Sequence, residues 1–502
     1  MATGFRILLR AACALTFLVL PAPAGAQDAI ARYDELLARW DDGGLARLAA
    51  EPGPAGMKEL AAAAAAFLRF DPTAPALAAV AVEAASEETR SRAEWLRDTV
   101  ASWHALLGGF FPQPVSSRVR LLLPASHREW GKLAAPFCAE IVDPVLELFQ
   151  VAADGPVVEA VFLENLDQLA VVSRVPVARL ERSGTVGMTL FGRVFLLSPA
   201  SFPEGYAWHV VLGHEAVHHA LRRRVPGRLP HFYEEGIASL LEEWGRTGKL
   251  KELLPLEKAL LQLADDKGLL LDRAVLDAPY WQIEGGLQAR LAFVQARLAA
   301  ALLLQKAQVE SLRQLLDGLA DGTPFDELQR TLTGVSPDAF FARVKARWRS
   351  AASRENLLTL QYDSGPDYLP EKARKAADEA ASLVTLGDLL WGRGRIAAAL
   401  AVYMRLPPEL QVTPDVSWRI CRLLVDLGRT AEARTRIRGP LELFPSDSRV
   451  LYAAALVARA AGDAELAGRL ARDAWLVNPF SKETADAIMT PRPWQGDETW
   501  VK

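Results

Sequence analysis

The sequence predicts an α+β protein that is mostly helical, with a small mixed sheet and a terminal solenoid of helical repeats. Three observations lead to this prediction. Short apolar stretches with a strand pattern lie between about residues 118 and 197. Most other segments have the apolar spacing of helices. The last third of the chain contains an internal repeat, and 502 residues are enough for two or three domains.

The first residues have the pattern of a secretory signal peptide. Arg6 and Arg10 give a positively charged start, and an apolar run follows from Ala11 to Leu20. The small residues Ala24-Gly25-Ala26 then match the site that a signal peptidase cleaves. The apolar run is shorter than the ~20 residues that a membrane-spanning helix needs. We therefore expect residues 1–26 to be removed from an exported protein, periplasmic or secreted, whose mature chain has no membrane span.

The composition suits a globular protein and gives no sign of a nucleic-acid partner. The chain is 51% hydrophobic and 24% charged, with a formal net charge of -4. Binding to nucleic acid requires concentrated positive charge, which this balance does not provide. Beyond the signal peptide, Cys138 and Cys421 fit either a single disulfide or two buried apolar side chains, and the second interpretation is favoured.

Residues 27–115 are predicted to form a helical region, and residues 116–350 a second domain that contains the sheet. The first region is rich in alanine and is broken by turn residues, and it contains no recognisable chemical motif. In the second, Arg118–Leu123 and Val157–Leu163 have strand patterns, and Gly187–Leu197 predicts a hairpin or two short strands. Helices are predicted for about residues 127–149 and, apart from loops, from residue 206 onward.

The last third of the chain contains the internal repeat. Glycines recur with a period of 34 residues, at Gly394, Gly428 and Gly462. Helix pairs with this period are typical of tetratricopeptide repeats, which we expect in residues 375–485. The predicted repeats begin near Ala380, Pro414 and Ser448. Stacked helix pairs form a concave surface, so a protein partner is expected to bind there. An unrelated helical bundle is the alternative.

Histidines cluster in one short segment. Five of the seven histidines in the chain fall between His209 and His231. His214 and His218 are four residues apart in a segment with a helical pattern, so both imidazoles project from the same face. This spacing allows one metal ion to bind between them. Glu215, next to the first histidine, can reach a water on that ion without binding the ion itself.

A third ligand is predicted on the next helix. The segment from His231 to Ala238 begins a second helix, on which Glu235 would face the first and Gly236 is small enough for close packing. His-Glu-x-x-His followed by Glu-Gly-x-Ala resembles the gluzincin metallopeptidases, in particular the peptidase MA-like group. The resemblance implies a zinc ion (Zn2+) held by His214, His218 and Glu235.

The resemblance also implies an activity, the hydrolysis of peptide bonds in a protein or peptide substrate. In this hypothesis zinc activates a water, and Glu215 takes its proton and passes it to the departing amine. Tyr280 would stabilise the negative oxygen, because relatives place a tyrosine after the third-ligand helix; a packed aromatic is equally consistent. Ser239 stands where some relatives have an aspartate that orients a histidine ligand. No Gly-x-Met-Glu-Asn segment is present, so an aminopeptidase is not expected.

The other polar residues around the motif have less specific predictions. His209 is expected to be structural, and His219 to lie on another helix face, beside a ligand or at the surface. His231 either donates to the substrate or begins its helix, and the second interpretation is favoured. Glu234 is expected to be a surface or first-turn carboxylate, favoured there by the helix dipole. The strand Arg193–Leu197 is a candidate to bind extended substrate at a sheet edge.

Two other functions fit the same residues. The first is a catalytically inactive envelope scaffold that keeps a protease-like fold for binding. The second is a zinc hydrolase that acts on a non-protein amide or ester. The presence of Glu215 together with all three ligands favours an enzyme over a scaffold, because a binding protein does not need the base.

Overall fold

A computed structural model describes the chain over the ranges 24–152, 157–283, 285–305, 308–364 and 368–481. The predicted signal peptide at residues 1–26 lies outside these residues except for its last three, and the predicted repeat region extends past them at 482–485. About 69% of the structure is helical, and the strands form a small mixed sheet. The predicted α+β, mostly helical class is therefore confirmed.

Five helices of the described chain precede the sheet and form the N-terminal helical layer. They are α1 (Ala24–Ala38), α2 (Asp42–Leu48), α3 (Met57–Leu68), α4 (Ala74–Ala84) and α5 (Glu87–Leu107). Asp41 caps α2 by accepting a hydrogen bond from Gly44 N, and Gly56 adopts a left-handed φ of 80° before α3. A Cβ at Gly56 would lie 2.6 Å from Ala84 O, so both conformation and space require glycine there.

The sheet has five strands in the order β1-β2-β3-β5-β4. The strands are β1 (Phe111–Pro114), β2 (Val119–Leu123), β3 (Val158–Leu163), β4 (Gly187–Leu190) and β5 (Arg193–Leu197). β2, β3 and β5 are parallel to one another, and β1 and β4 are antiparallel at the two edges. β4 and β5 form the predicted hairpin, joined by Phe191 and Gly192, whose φ angles are 48° and 82°. Two positive φ angles are typical of the type I′ turn, whose twist matches that of a hairpin.

The strand predicted to bind substrate does not lie at an edge of the sheet. β5 is hydrogen-bonded on both sides, to β3 and to β4, so its main chain has no free edge. The prediction for Arg193–Leu197 is therefore wrong, and β4 is the edge strand instead. The hydrophobic pattern of a hairpin does not determine which of its two strands pairs with the rest of the sheet.

Side chains alternate between the two faces of the sheet, and helices cover both faces. In β5, Phe195 and Leu197 pack with the N-terminal helical layer, while Val194 and Leu196 point the other way. Trp103 of α5 packs edge-on against Phe195, with ring centroids 4.8 Å apart. The sheet is therefore buried on both faces, and it shares one hydrophobic core with the N-terminal helices.

The helices between β2 and the C-terminal region are, in chain order, α6 (Arg128–Leu148), α7 (Leu166–Ser173), α8 (Val177–Ser183), α9 (Trp208–Arg224), α10 (His231–Leu241), α11 (Trp244–Thr247), α12 (Pro255–Asp266), α13 (Arg273–Leu276), α14 (Gly286–Leu304), α15 (Gln308–Ala320), α16 (Phe325–Thr333), α17 (Pro337–Ala351) and α18 (Leu357–Ser364). α7 and α8 pack with the N-terminal helical layer, whereas α6 and the two helices of the histidine cluster, α9 and α10, pack on the opposite face of the sheet. α9 contacts β4 and β5 on one side and α10 on another, and α10 packs against α14. α14 is long and apolar enough to cross a membrane by length and composition alone, but 72% of its most apolar 18-residue stretch is buried within the protein.

Two glycines set the spacing of these helices. Gly236 of α10 faces α14, where an added Cβ would lie 2.3 Å from Ala296 O. Gly213 of α9 faces the end of α10, where an added Cβ would lie 2.0 Å from Glu242 O. The sequence predicts that Gly236 permits close packing between α10 and the histidine helix α9. This prediction is wrong, because Gly236 packs against α14, and Gly213 is the glycine at the contact between α9 and α10. Gly236 follows Glu235, and adjacent positions on a helix point about 100° apart.

The C-terminal helices follow in pairs. They are α19 (Glu371–Gly392), α20 (Ile396–Tyr403), α21 (Pro408–Gln411), α22 (Pro414–Asp426), α23 (Thr430–Arg436), α24 (Arg438–Leu443), α25 (Ser448–Ala460) and α26 (Ala464–Val477). The three repeated glycines have left-handed φ angles of 73°, 72° and 80°, a conformation that favours glycine. α22 and α25 begin at the predicted Pro414 and Ser448, whereas Ala380 lies inside α19. A tetratricopeptide solenoid stays a prediction.

The two cysteines of the described chain are buried free thiols. Cys138 lies in α6 and Cys421 in α22. Burial raises the pKa of both thiols, to about 12 for Cys421. They therefore stay protonated and act as small apolar side chains, as the favoured interpretation predicts.

The end of the C-terminal region packs against the loop that leads into α9. Tyr206 N donates a hydrogen bond to Val477 O at 3.1 Å, and Asn478 Nδ2 donates to Pro203 O at 2.9 Å. Gly205 has a φ of 65°. A Cβ there would lie 2.2 Å from Val477 O, so glycine is required for this approach. The C-terminal helices therefore help to fix the position at which the histidine helix begins.

Gly236→Ala is expected to destabilise the protein by about 1–3 kcal/mol, because the new methyl group pushes α10 away from α14. Gly286→Ala in α14 is the control, since nothing lies within 4 Å of a Cβ at that position. Chemical unfolding of both variants measures the difference. Equal free energies of unfolding would show that the two helices move apart without cost.

Candidate metal centre

α9 forms the predicted histidine helix and extends from Trp208 to Arg224. Buried apolar side chains anchor it in the core, and three arginines in its last turn suit the negative end of the helix dipole. His214 and His218 project from one face, with their ring centroids 4.8 Å apart. Their Nε2 atoms approach each other to 3.1 Å.

Glu235 of α10 reaches the same point. Its Oε2 atom lies 3.3 Å from His214 Nε2 and 3.5 Å from His218 Nε2. Each of the three side chains is largely buried, with 11–12% of its surface exposed. Within the described parts of the chain, no other group of three or more His, Cys, Asp or Glu side chains is arranged to hold a metal ion. The structure thus brings the three predicted ligands together.

Glu215 lies between the histidine pair and the edge strand β4. Thr189 Oγ1 of β4 is 2.7 Å from Glu215 Oε2 and 3.0 Å from the Glu215 carbonyl oxygen. Gly187 allows the strand to come this close, because a Cβ there would lie 2.7 Å from Val211 Cγ1 and 3.4 Å from Glu215 Cγ. The predicted base is therefore held by a hydroxyl from the free edge of the sheet.

His214 has a carboxylate at its outer nitrogen. Glu242 Oε2 lies 3.3 Å from His214 Nδ1, and Lys251 Nζ lies 2.5 Å from Glu242 Oε1. Glu242 follows Glu235 by seven residues, or about two helical turns, and so returns to the same face just past the end of α10. The expected position for an orienting group, Ser239, is buried one turn earlier. Glu242 therefore makes the contact with His214 that some relatives make with an aspartate at the position of Ser239.

His218 has a carboxylate at its outer nitrogen as well. Glu234 Oε1 lies 3.3 Å from His218 Nδ1, and Arg222 binds both Glu234 oxygens at 3.2 and 3.3 Å. Glu234 is only 6% exposed. Of the two predicted alternatives, the structure places Glu234 in the first turn of α10 and not at the surface. α10 packs against α9 along its first turn, which buries Glu234 beside a cation.

The carboxylates around the two histidines favour positive charge at the centre. Burial opposes protonation of His214, but hydrogen bonds to Glu235 and Glu242 outweigh it and raise the pKa to about 9. Burial also opposes protonation of His218, yet Glu235 and Glu234 raise its pKa well above the usual value. Against the effect of burial, the histidines hold the pKa of Glu235 well below its usual range. The site therefore stabilises a cation.

Tyr280 lies beside the predicted ligands, in a 3₁₀ turn that follows α13. Its ring centroid is 5.2 Å from that of His231 and 5.0 Å from that of Phe293, which contacts the His214 ring at 5.6 Å. The Tyr280 hydroxyl is buried and makes no hydrogen bond among the described residues. Burial and the Glu235 charge raise the pKa of this hydroxyl well above its usual value, so it keeps its proton and can donate.

His231 is the first residue of α10, as the favoured interpretation predicts. Its Nε2 atom lies 3.5 Å from Glu235 Oε1 and has no hydrogen-bond partner in the described structure. A buried polar atom without a partner costs about 1–3 kcal/mol. Two such atoms, on His231 and Tyr280, therefore mark a place beside Glu235 that suits a polar group of a ligand.

Two further histidines of the cluster are buried away from the centre. His219 faces the N-terminal helical layer, where its ring lies 6.1 Å from that of Trp40. Burial, with the charge of Arg223, lowers the pKa of His219 to about 3. Burial, with the charges of Arg246 and a nearby lysine, likewise lowers the pKa of His209 to about 3. His209 is structural, as predicted, and His219 is buried because the N-terminal helices cover its side of α9.

No protein-family model matches the chain, and no curated protein sequence matches it. Sequence patterns do not predict the roles of Thr189, Glu242 and Lys251. Glu242 had a usable signal, since seven residues separate it from Glu235 on one helix face. Thr189 and Lys251 had none, because a strand and a loop bring them to the site through tertiary packing.

The neutral burial of His209 predicts a loss of stability in acid. Below its ordinary pKa of 6.5 the unfolded chain binds a proton here, whereas the folded protein does not until about pH 3. The free energy of unfolding therefore falls as the pH is lowered through this window, by up to about 1.4 kcal/mol per pH unit from this residue. His209→Gln is expected to reduce that slope, which urea unfolding at several pH values measures.

His104→Gln is the matched control for this prediction. His104 is an exposed histidine of α5, so its removal is expected to leave the slope unchanged. A His209→Gln protein with the same slope as the wild type would show that His209 accepts a proton in the folded state.

Proposed function

We propose that this protein is a zinc-dependent endopeptidase, with His214, His218 and Glu235 as metal ligands and Glu215 as general base. One observation carries the proposal. Two imidazole nitrogens and one carboxylate oxygen lie within 3.1–3.5 Å of one another. Two histidines one turn apart and a glutamate from the next helix are the metal ligands of the gluzincins that the sequence resembles, and an acid beside the first histidine is their general base.

The distances between the three donor atoms support zinc as the metal. A tetrahedral zinc ion with ligands at about 2.0–2.1 Å holds neighbouring ligand atoms about 3.3–3.4 Å apart. The observed separations of 3.1, 3.3 and 3.5 Å lie around this value. Imidazole nitrogen suits zinc, whereas calcium and magnesium prefer oxygen. Three protein ligands leave one position for water, as catalytic zinc sites do.

The charge around the site also supports a divalent cation. Four largely buried carboxylates surround the histidines, on Glu215, Glu234, Glu235 and Glu242. Cationic side chains pair with two of these, Arg222 with Glu234 and Lys251 with Glu242. With neutral imidazoles, two negative charges remain without a partner. Buried charge is costly unless it is compensated, and a divalent ion compensates this excess.

A zinc ion bound here would supply Lewis acidity, which lowers the pKa of a water towards about 7 and polarises the scissile carbonyl. Glu215 takes the proton from the attacking water and delivers it to the departing amine. Thr189 donates to one oxygen of Glu215, which leaves the other oxygen free to accept that proton. The buried Tyr280 hydroxyl donates to the carbonyl oxygen as it becomes negative.

The edge strand β4 is the proposed binding place for an extended polypeptide. β4 pairs with β5 on one side, and its other edge can form main-chain hydrogen bonds with a substrate strand. Thr189 of β4 contacts Glu215, so a substrate on this edge would lie beside the base. Main-chain recognition along a strand supports a peptide substrate over a non-protein amide or ester, and cleavage within a chain over removal of its first residue.

The two ends of the sequence complete the proposal. A signal peptide at residues 1–26 would export the enzyme to the periplasm or the medium. Tetratricopeptide repeats in residues 375–485 would bind a protein, either to present substrate or to hold the enzyme in an assembly of the envelope. The left-handed glycines at a 34-residue period support such repeats.

Glu215→Gln is expected to keep its zinc and to lose peptide hydrolysis by about 10²–10⁴-fold, because the amide cannot take a proton from the water. Metal analysis of the purified mature protein and cleavage of a casein-type substrate measure the two properties. His218→Ala is the comparison, since it is expected to lose both the zinc and the activity.

The alternatives lead to different outcomes in the same experiment. An inactive envelope scaffold predicts that wild type and Glu215→Gln behave alike. A hydrolase of non-protein amides predicts that cell-wall fragments are cleaved and casein is not. A wild-type protein that binds no zinc contradicts the proposal itself.

Tyr280→Phe is expected to lower kcat by about 10²–10³-fold with little change in KM, because the hydroxyl donates only to charge that develops during the reaction. Phenylalanine keeps the ring contacts with His231 and Phe293, so zinc content and stability are expected to stay the same. Steady-state kinetics on one peptide substrate measure the effect. An unchanged kcat would make Tyr280 a packed aromatic, the alternative that the sequence leaves open.

A further inference from the structure

We propose that Glu242 and Glu234 are positioning residues that orient the two histidine ligands. This role rests on the zinc site proposed above and extends it to two carboxylates that contact the histidines rather than the metal position. Each carboxylate lies at the outer nitrogen of one histidine, and each is paired with its own cation. Contacts of this kind fix the ring orientation and the position of the ring proton.

The contact with Glu242 determines which nitrogen of His214 faces the metal position. A carboxylate only accepts hydrogen bonds, so His214 Nδ1, 3.3 Å from Glu242 Oε2, carries the ring proton. The neutral ring then has its lone pair on Nε2, the atom that lies 3.3 Å from Glu235. Without Glu242 the ring can turn or move its proton to Nε2, and either change removes the lone pair from the metal position.

Glu242 is held in place from two sides. Lys251 Nζ lies 2.5 Å from Glu242 Oε1, and Lys251 N donates to Leu240 O at 2.9 Å. On the other side, the Glu242 main chain lies against Gly213, where a Cβ would be 2.0 Å from Glu242 O. Gly213 immediately precedes His214. The missing side chain at Gly213 therefore allows the carboxylate to reach the ring of the next residue.

Glu234 makes the equivalent contact with His218. Its Oε1 atom lies 3.3 Å from His218 Nδ1, and Arg222 holds both Glu234 oxygens. Arg222 lies four residues after His218 on α9, so one helix supplies both the ligand and the cation that fixes the ligand's partner. The two histidines therefore have the same arrangement: a carboxylate on Nδ1, a cation behind the carboxylate, and Nε2 facing Glu235.

The experiment compares the zinc affinity of purified full-length variants by competition with a chelator. Glu242→Ala is expected to bind zinc about 10–100-fold more weakly than the wild type. Glu242→Gln keeps an oxygen that can accept from Nδ1, so it is expected to recover part of this loss. Glu243→Ala is the matched control, because Glu243 is the next residue and also lies 3.4 Å from Lys251. It is expected to bind zinc like the wild type.

Cobalt substitution adds a measurement that a general loss of stability does not change. The visible absorption of bound Co²⁺ depends on the geometry of its ligands. With both proteins saturated with cobalt, the spectrum of Glu242→Ala is expected to differ from that of the wild type, and the spectrum of Glu243→Ala is expected to match it.

The outcomes separate this inference from the proposed function. A wild-type protein that binds no zinc removes the metal site and the positioning role together. Zinc binding by the wild type, with equal affinities and spectra for Glu242→Ala and Glu243→Ala, refutes the positioning role alone. If Glu242→Ala does not fold, Glu242→Gln and Gly213→Ala are compared with Glu243→Gln. Weaker zinc binding by Glu242→Gln and Gly213→Ala than by Glu243→Gln supports the positioning role, and equal zinc binding by all three variants refutes it.

Discussion

Two imidazole nitrogens and a carboxylate oxygen meet at one buried point. The surrounding structure has to bring their two helices close together and to compensate the charges that this buries. The three atoms lie 3.1–3.5 Å apart in a buried region, where an uncompensated charge is poorly solvated. α9 and α10 have to approach closely, and Gly213 lies where they touch. The outer carboxylates each have a cation, Arg222 or Lys251. The charges of these two carboxylates, on either side of the histidines, are therefore balanced by ion pairs.

The sheet contributes to the same site through its edge. Thr189 binds the Glu215 carboxylate from β4, and the hairpin that carries it ends in the turn at Phe191. The Phe191 ring packs against Phe67 at 5.4 Å and Trp95 at 5.7 Å, both from the N-terminal helical layer. The place of the edge strand beside the proposed base therefore depends on aromatic contacts with helices that carry none of the metal-ligand motif.

The sequence predicts well those features that lie within one helix or one hairpin. The spacing of His214 and His218 predicts their shared face, and the pattern of residues 187–197 predicts the hairpin. Features that depend on packing between elements are not predicted. Thr189 and Glu215 are 26 positions apart, and no periodicity in the sequence between them pairs the two residues. The order of the strands, the helix against which Gly236 packs and the burial of Glu234 are not predicted either. Each depends on contacts with segments that are distant in sequence.

The N-terminal helical layer covers apolar side chains of the sheet, so its removal by proteolysis would expose them to water. A segment that is cut away to activate an enzyme has to leave behind a surface that tolerates water. Loss of this layer would uncover Val161, Phe195 and Leu197, none of which has any exposed surface in the intact protein. Exposing each such side chain costs about 1.5–3 kcal/mol. Cutting the layer away is therefore expected to destabilise the part of the protein that remains.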